Sequence, residues 1–418
     1  MEGAGGTAGG TAREPASSLP RRRPFPYHGR MDEPGGITQN FLRHGVVELT
    51  FGEPDPDLLP VELVRRAAEA ALARSGAALA YGQVEGPPGL RHALARRITA
   101  RERVKATAAD VLVTGGNSQA LEQVMTVFTE PGDVVIVESP TYNLALGIFR
   151  DHPVDIAGVR LDAEGLDVAA LGATLGELAA AGRRARLLYT IPTYHNPAGV
   201  CLSDARRTQL LALARRHDLI VVEDDVYREL FYEGAAPASL WALDREAPVI
   251  RLGSFSKTLA PGLRVGWANA RPDLLERLAG MGMLESGGGG GVSYFAAHVV
   301  ERVLATPGYD EHVEMLRRIY VRRRDALAAA LVEHLPAGCG FALPAGGFFV
   351  WLELPEGADA AALLPVAEAH GVSFAPGARF CRSGGERLLR LAFSLYGEDT
   401  LREGARRLAA AIAAASDA

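Results

Sequence analysis

Between residues 111 and 270, short apolar runs recur, each ending in glycine or polar residues, with amphipathic stretches between them. VLVTGG (Val111–Gly116), DVVIVESP (Asp133–Pro140), RARLLYTIP (Arg184–Pro192), DLIVVEDD (Asp218–Asp225), PVIRLGSFS (Pro248–Ser256) and LRVGWANA (Leu263–Ala270) read as six strands. QALEQVMTVF (Gln119–Phe128) and ARRTQLLALARRH (Ala205–His217) carry helical spacing. Apolar strands alternating with amphipathic helices predict an α/β fold with a mostly parallel sheet. After about residue 310 the pattern changes. A long helix over Glu314–Leu335 is followed by the strand GGFFVWLEL, a helix near Asp359–His370, the strand LLRLAFS and a closing helix, which predicts a smaller α+β unit. We therefore expect a tail over 1–40, a segment over 41–80 that packs with the small unit, a large unit over 81–310 and a small one over 311–418. The tail is rich in Gly, Ala, Pro, Ser and Arg and has little to bury, so it reads as flexible, with Met31 as an alternative start.

Composition narrows the function classes. Hydrophobic residues make up 48% and charged residues 22%, with a net charge of −6, so nothing favours a nucleic-acid or anionic-membrane surface. No run approaches the roughly 18 apolar residues of a membrane span. The odd count of three cysteines, without a CxxC pair, fits a reducing cytoplasm, and no motif argues for a metal.

Candidate chemistry sits at the strand ends, where α/β sheets gather it. TGGNSQAL (Thr114–Leu121) offers free N–H groups at a helix start, with Asn117 or Ser118 as the cap. That suits a phosphate, although the same letters also describe an ordinary βα turn. VVEDDVYREL places three acids after an apolar strand; at least one must point inward and find a cation, unless it caps the next helix. PTYHNPAGV presents the amide of Asn196 on a turn. SFSKTLAPGLR sets Lys257 among Ser254, Ser256 and Arg264. A lysine in a cleft can lose its proton and attack a carbonyl.

A phosphate cup, an inward acid, an amide, a phenol and a lysine complement pyridoxal 5′-phosphate. In the order and spacing of these motifs the chain resembles the fold-type I, class I/II aminotransferase family over about residues 48–412, particularly its aminoadipate and kynurenine aminotransferase branch. The resemblance implies that Lys257 is the Schiff-base lysine and shuttles a proton, and that Asp224 holds the pyridine nitrogen. It implies that Asn196 and Tyr227 bond the ring oxygen and that Tyr142 stacks on the ring. Backbone groups of Ser118 and Gln119, with Ser254, Ser256 and Arg264, would surround the phosphate. Tyr81 matches a tyrosine that reaches the neighbouring subunit's phosphate, which implies a homodimer with shared sites. Arg390 matches the arginine that grips the substrate α-carboxylate, assisted by Asn196, and Gly52 lies in the segment that closes over the substrate.

The resemblance implies exchange of an amino group between an α-amino acid and a 2-oxo acid in the cytoplasm. Gly287–Gly291, five consecutive glycines, depart from the family pattern, which has a polar stretch there. That departure admits a bulky substrate, or instead elimination, replacement or cyclisation on an amino acid such as S-adenosylmethionine. Transcription regulators also carry this kind of domain behind a DNA-binding one, and the stretch up to Val47 shows no helical pattern for such a domain.

Overall fold

The computed structural model describes residues 42–73, 76–286 and 291–416. The expected tail over 1–40 and four of the five glycines, 287–290, lie outside the described residues. Chain order begins with β1 (Val47–Glu48), which pairs in parallel with a strand more than 300 residues later, Val47 opposite Val372.

The large sheet is built from β2 (Val111–Thr114), β3 (Val134–Ser139), β4 (Asp155–Asp162), β5 (Gly165–Leu166), β6 (Ala185–Thr190), β7 (Ile220–Asp224), β8 (Val249–Ser254) and β9 (Gly266–Asn269). Its order is β2-β9-β8-β7-β6-β3-β4-β5. The central pairs are parallel, while β9 runs antiparallel to both neighbours and β5 to β4. Val134–Val137 and Ile220–Val222 are buried, as strands covered by helices on both faces must be. The sequence pattern missed β4 because it reads as polar: DIAGVRLD buries only Val159.

The antiparallel register of β9 matters for function. Thr114 at the end of β2 and Ser254 at the end of β8 both lie opposite Gly266. The loops that leave β2 and β8 therefore emerge side by side, with the turn into β9 between them.

The C-terminal sheet holds β10 (Gly340–Phe341), β11 (Phe349–Glu353), β13 (Ala375–Pro376) and β14 (Leu388–Ala392), in the order β10-β11-β14-β13, and β12 (Val372–Ser373) takes β1. Arg390 sits mid-strand in β14, opposite Trp351 and Ala375. Helices Gly308–His334 and Glu398–Ser416 pack on each other beside this sheet. Val47 and Leu49 share a core with Phe348, Leu391 and Leu408, whereas the helix Val61–Leu72 packs on the helix Tyr294–Leu304.

Candidate active site

Five strand ends, those of β2, β3, β6, β7 and β8, and one distant arginine meet in a single cluster. Lys257 follows β8 in a turn, half-buried, and its Nζ donates to the carbonyl of Gly52 at 3.0 Å. Burial pushes the Lys257 amine down to about 8. Glu53 and Asp224 pull it back up, while Arg390 and Arg264 press it further down. Gly52 comes this close because it has no side chain: a Cβ there would stand 2.2 Å from the Phe349 ring.

Asp224 ends β7 and is buried. Its Oδ1 accepts from Asn117 Nδ2 at 2.8 Å and its Oδ2 from the Tyr189 hydroxyl at 2.7 Å. Burial raises its carboxyl to about 6 against the pull of these two donors. Neither partner was foreseen. Asn117 was expected to share in capping the helix Asn117–Phe128, but Gly116 stands at the N-cap with no side-chain bond, and Asn117 reaches across to Asp224 instead. Ser118 does not cap either. Tyr189 read only as part of an apolar strand, although a tyrosine inside such a run needs a hydroxyl partner, and that was the available signal.

The Gly115–Gly116 turn forms a cup. Gly116 has φ +99°, and a Cβ on it would come 2.7 Å from Arg264 Nη2; one on Gly266 would come 2.9 Å from the Gly116 Cα. The helix that starts here bonds Ala120 N–H to Gly116 O, so the amides of Asn117, Ser118 and Gln119 have no acceptor within it. The Gln119 side chain accepts from the Gly115 N–H, a role additional to its backbone. Beside the cup, Ser254 Oγ donates to Ser256 Oγ at 2.9 Å and accepts from the Ser256 amide at 3.0 Å. Small residues, open amides and the Arg264 guanidinium make a cradle of phosphate size and charge.

Tyr142 and Tyr227 flank the cluster. Burial lifts the Tyr142 phenol to about 12, with Asp224 adding to the rise and Arg390 and Arg264 opposing it. Tyr227 is buried edge-on against Phe348 and Phe349, with its phenol also raised by burial. Arg390 lies between the Phe349 and Phe380 rings, 4.2 and 4.7 Å from their centroids. Its Nη1 donates to Asn196 Oδ1 at 2.8 Å and its Nη2 to the Thr50 carbonyl at 2.7 Å. Tyr81 stands apart from the cluster, 90% exposed.

The turn that carries Asn196 rests on a buried network that the sequence did not reveal. Glu138 in β3 accepts from Thr190 Oγ1 (2.7 Å), the Ile191 amide (2.8 Å) and His195 Nε2 (3.0 Å). The Ala198 amide donates to His195 Nδ1 at 3.2 Å, so the ring proton belongs on Nε2. Arg207 adds a bond to Thr193 Oγ1 at 3.0 Å.

An anion cradle, a buried carboxylate held for a ring N–H and an amine of lowered basicity fit pyridoxal phosphate, and fold and site together define a transferase of that cofactor class. A family model described as aminotransferase class I and II matches residues 44–408. The aromatic-amino-acid aminotransferase 1 of Thermococcus litoralis is 38% identical over 88% of each chain. The 2-aminoadipate transaminase of Thermus thermophilus is 37% identical over 88% of this chain and 91% of its own. A solved structure of Pyrococcus horikoshii kynurenine aminotransferase, in complex with PMP, superposes with a TM-score of 0.84 at 36% identity, covering 90% of this chain and 92% of that one. The chain therefore belongs to the class I and II aminotransferase family, and is a pyridoxal-phosphate-dependent amino acid aminotransferase. No helix among the described residues is long and apolar enough to cross a membrane.

Proposed function

We propose that the chain moves an amino group between an α-amino acid with a bulky side chain and a 2-oxo acid, and that the residues just described carry the reaction. The observation that carries the reading is the amine of Lys257, lowered to about 8 and lying in the combined field of Glu53, Asp224, Arg390 and Arg264. The relatives named for aromatic amino acids, aminoadipate and kynurenine share a large donor side chain, which supports the bulky substrate class.

When bound, the cofactor supplies an aldehyde that takes up amino groups and a ring that withdraws electrons from the substrate Cα. Lys257 would hold that aldehyde and, once released from it, would carry the proton between the substrate Cα and C4′. Asp224, kept in place by Asn117 and Tyr189, would meet the ring nitrogen with its negative charge. Asn196 and Tyr227 would bond the ring oxygen and Tyr142 would stack on the ring, while Ser118, Gln119, Ser254, Ser256 and Arg264 would hold the phosphate. Arg390 orients the substrate carboxylate with its planar fork, and Gly52 closes the segment above Lys257.

We further propose a homodimer in which Tyr81 completes the partner's phosphate site. Its 90% exposure, with the 70%-exposed Leu79 two residues before it, supports a surface covered by a second copy. The three free cysteines suit the cytoplasm, where we place the protein. We keep a large unit over 81–310 and a small one over 311–418; of the segment 41–80, Val47 and Leu49 join the core of the small unit while Ala67 and Ala71 join the core on the large sheet.

The test is a half-reaction. The loaded enzyme, mixed with a panel of amino acids and no oxo acid, should convert the cofactor stoichiometrically to its aminated form and release the matching 2-oxo acid, followed by absorbance and mass spectrometry. Release of a side-chain leaving group with the cofactor still an aldehyde would sink the reading. In the apo chain, cofactor capture should speed up as pH rises through about 8, where Lys257 becomes neutral. It should slow as pH falls through about 6, where Asp224 takes a proton, and Asp224→Asn should erase that lower limb. A capture rate flat from pH 5 to 9 would contradict both assignments.

A further inference from the structure

The turn from Tyr194 to Gly199 serves the cluster through one side chain, Asn196, and its backbone is unusual. Tyr194 has φ +52°, a left-handed conformation rare for a bulky aromatic residue, which persists only where the surroundings over-determine it. Those surroundings centre on a buried carboxylate. Glu138, Thr190 and His195 are 2%, 0% and 1% exposed. Among the described residues no lysine or arginine pairs with Glu138; its oxygens accept from the Thr190 hydroxyl, the Ile191 amide and the His195 ring. Enclosing a carboxylate in this way is costly, and an apolar residue would serve packing alone better.

His195 links that carboxylate to Asn196. Its amide donates to the Val200 carbonyl at 2.9 Å and its carbonyl accepts from the Gly199 amide at 2.7 Å, so its backbone closes the turn. Its ring accepts from the Ala198 amide through Nδ1 and donates to Glu138 through Nε2, so each ring nitrogen has one partner and the ring is held in one orientation. Asn196 is fixed at its far end as well. Arg390 offers donors only, so the amide oxygen of Asn196 must face it, at 2.8 Å, and Nδ2 is left to donate.

We propose that Glu138 and His195 are positioning residues for the reaction. The carboxylate fixes the His195 tautomer, the ring fixes the turn, and the turn aims Asn196. One amide then serves Arg390 with its oxygen and the cofactor's ring oxygen with its nitrogen. The inference rests on the role proposed above for Asn196. It ties two parts of the site together, because a displaced Asn196 loosens the grip on the substrate carboxylate and the hydrogen bond to the ring oxygen at once.

The test is a double-mutant cycle on cofactor-loaded enzyme. Glu138→Gln keeps the size of the side chain but turns an NH₂ group toward donors, so His195 must move its proton to Nδ1 and lose the Ala198 bond. It should lower kcat/KM for an α-amino acid by about tenfold, the worth of one or two hydrogen bonds. Asn196→Ala should lower it at least as much. In the Asn196→Ala background, Glu138→Gln should cost less than about twofold more, because its route to the chemistry is gone. A second readout needs no turnover. Without substrate, both single variants should move the pH midpoint of the bound cofactor's visible absorbance upward by up to about one unit, since a lost donor leaves the ring oxygen more basic. His195→Asn, which keeps an acceptor for the Ala198 amide but falls short of Glu138, should repeat both effects. It carries the cycle if Glu138→Gln does not load cofactor. Losses that multiply fully in the double variant, or an absorbance midpoint unchanged in Glu138→Gln and His195→Asn, would overturn the proposal. An Asn196→Ala variant that moved neither readout would overturn the role of Asn196 itself, and the positioning with it.

Discussion

Lys257→Ala is expected to slow amino-group transfer by at least about 10³-fold, the range of a lost acid–base group compounded by the lost covalent anchor. The same change should leave the apo chain as stable as before, or more so. The structure holds the Lys257 amine where burial disfavours its charge, and removing it relieves that penalty. Stopped-flow half-reactions and scanning calorimetry on one preparation separate the two effects. A variant that retained a tenth of the rate would remove Lys257 from the mechanism, and a marked fall in the apo unfolding midpoint would show a structural role instead.

The second large effect is at Arg390. Arg390→Gln should lower kcat/KM for an α-amino acid on the order of 10²-fold or more, as expected when charge-assisted hydrogen bonds to a carboxylate are lost. Arg390→Lys should recover little of this despite keeping the charge. The guanidinium is clamped flat between Phe349 and Phe380 while its two Nη atoms reach Asn196 and Thr50, and an ammonium cannot serve those directions together. The control is an amine donor of the same side chain without the carboxylate. The penalty of substitution should vanish for it, and an equal loss on both donors would show that Arg390 acts through the fold rather than through the substrate.

The sequence and the structure agree unevenly, and the reasons are physical. Lys257 and Asp224 stood out because each ends an apolar run with a group that such a run has no local use for, Asn196 because it sits on a rigid turn, and Arg390 through its match to the family's carboxylate-gripping arginine. Side chains whose importance comes from tertiary pairing were hidden. Tyr189 looks like strand core until its hydroxyl is found on Asp224, and Asn117 looks like a helix cap until its amide is found there too. Glu138 and His195 lie 57 positions apart and meet only because β3 and β6 are neighbours in the sheet. A cavity of about 170 Å³ behind Ser254 and Thr258 has no linear trace at all, since its arginines come from two helices, the segment after β7 and the buried strand β8.

The register around Gly266 has a consequence for how the protein is made. Among the described residues the only sheet partner of β2 is β9, about 150 residues further along the chain. A growing polypeptide thus carries β2 and its Gly115–Gly116 turn without that pairing while several intervening helices and strands are synthesised, and contacts so distant in sequence form slowly. The turn gains its scaffold only once Gly266 has emerged, and Arg390 arrives last of all. A prematurely terminated chain that ends short of β9 would have the letters of the cup but not the strand that β2 pairs with.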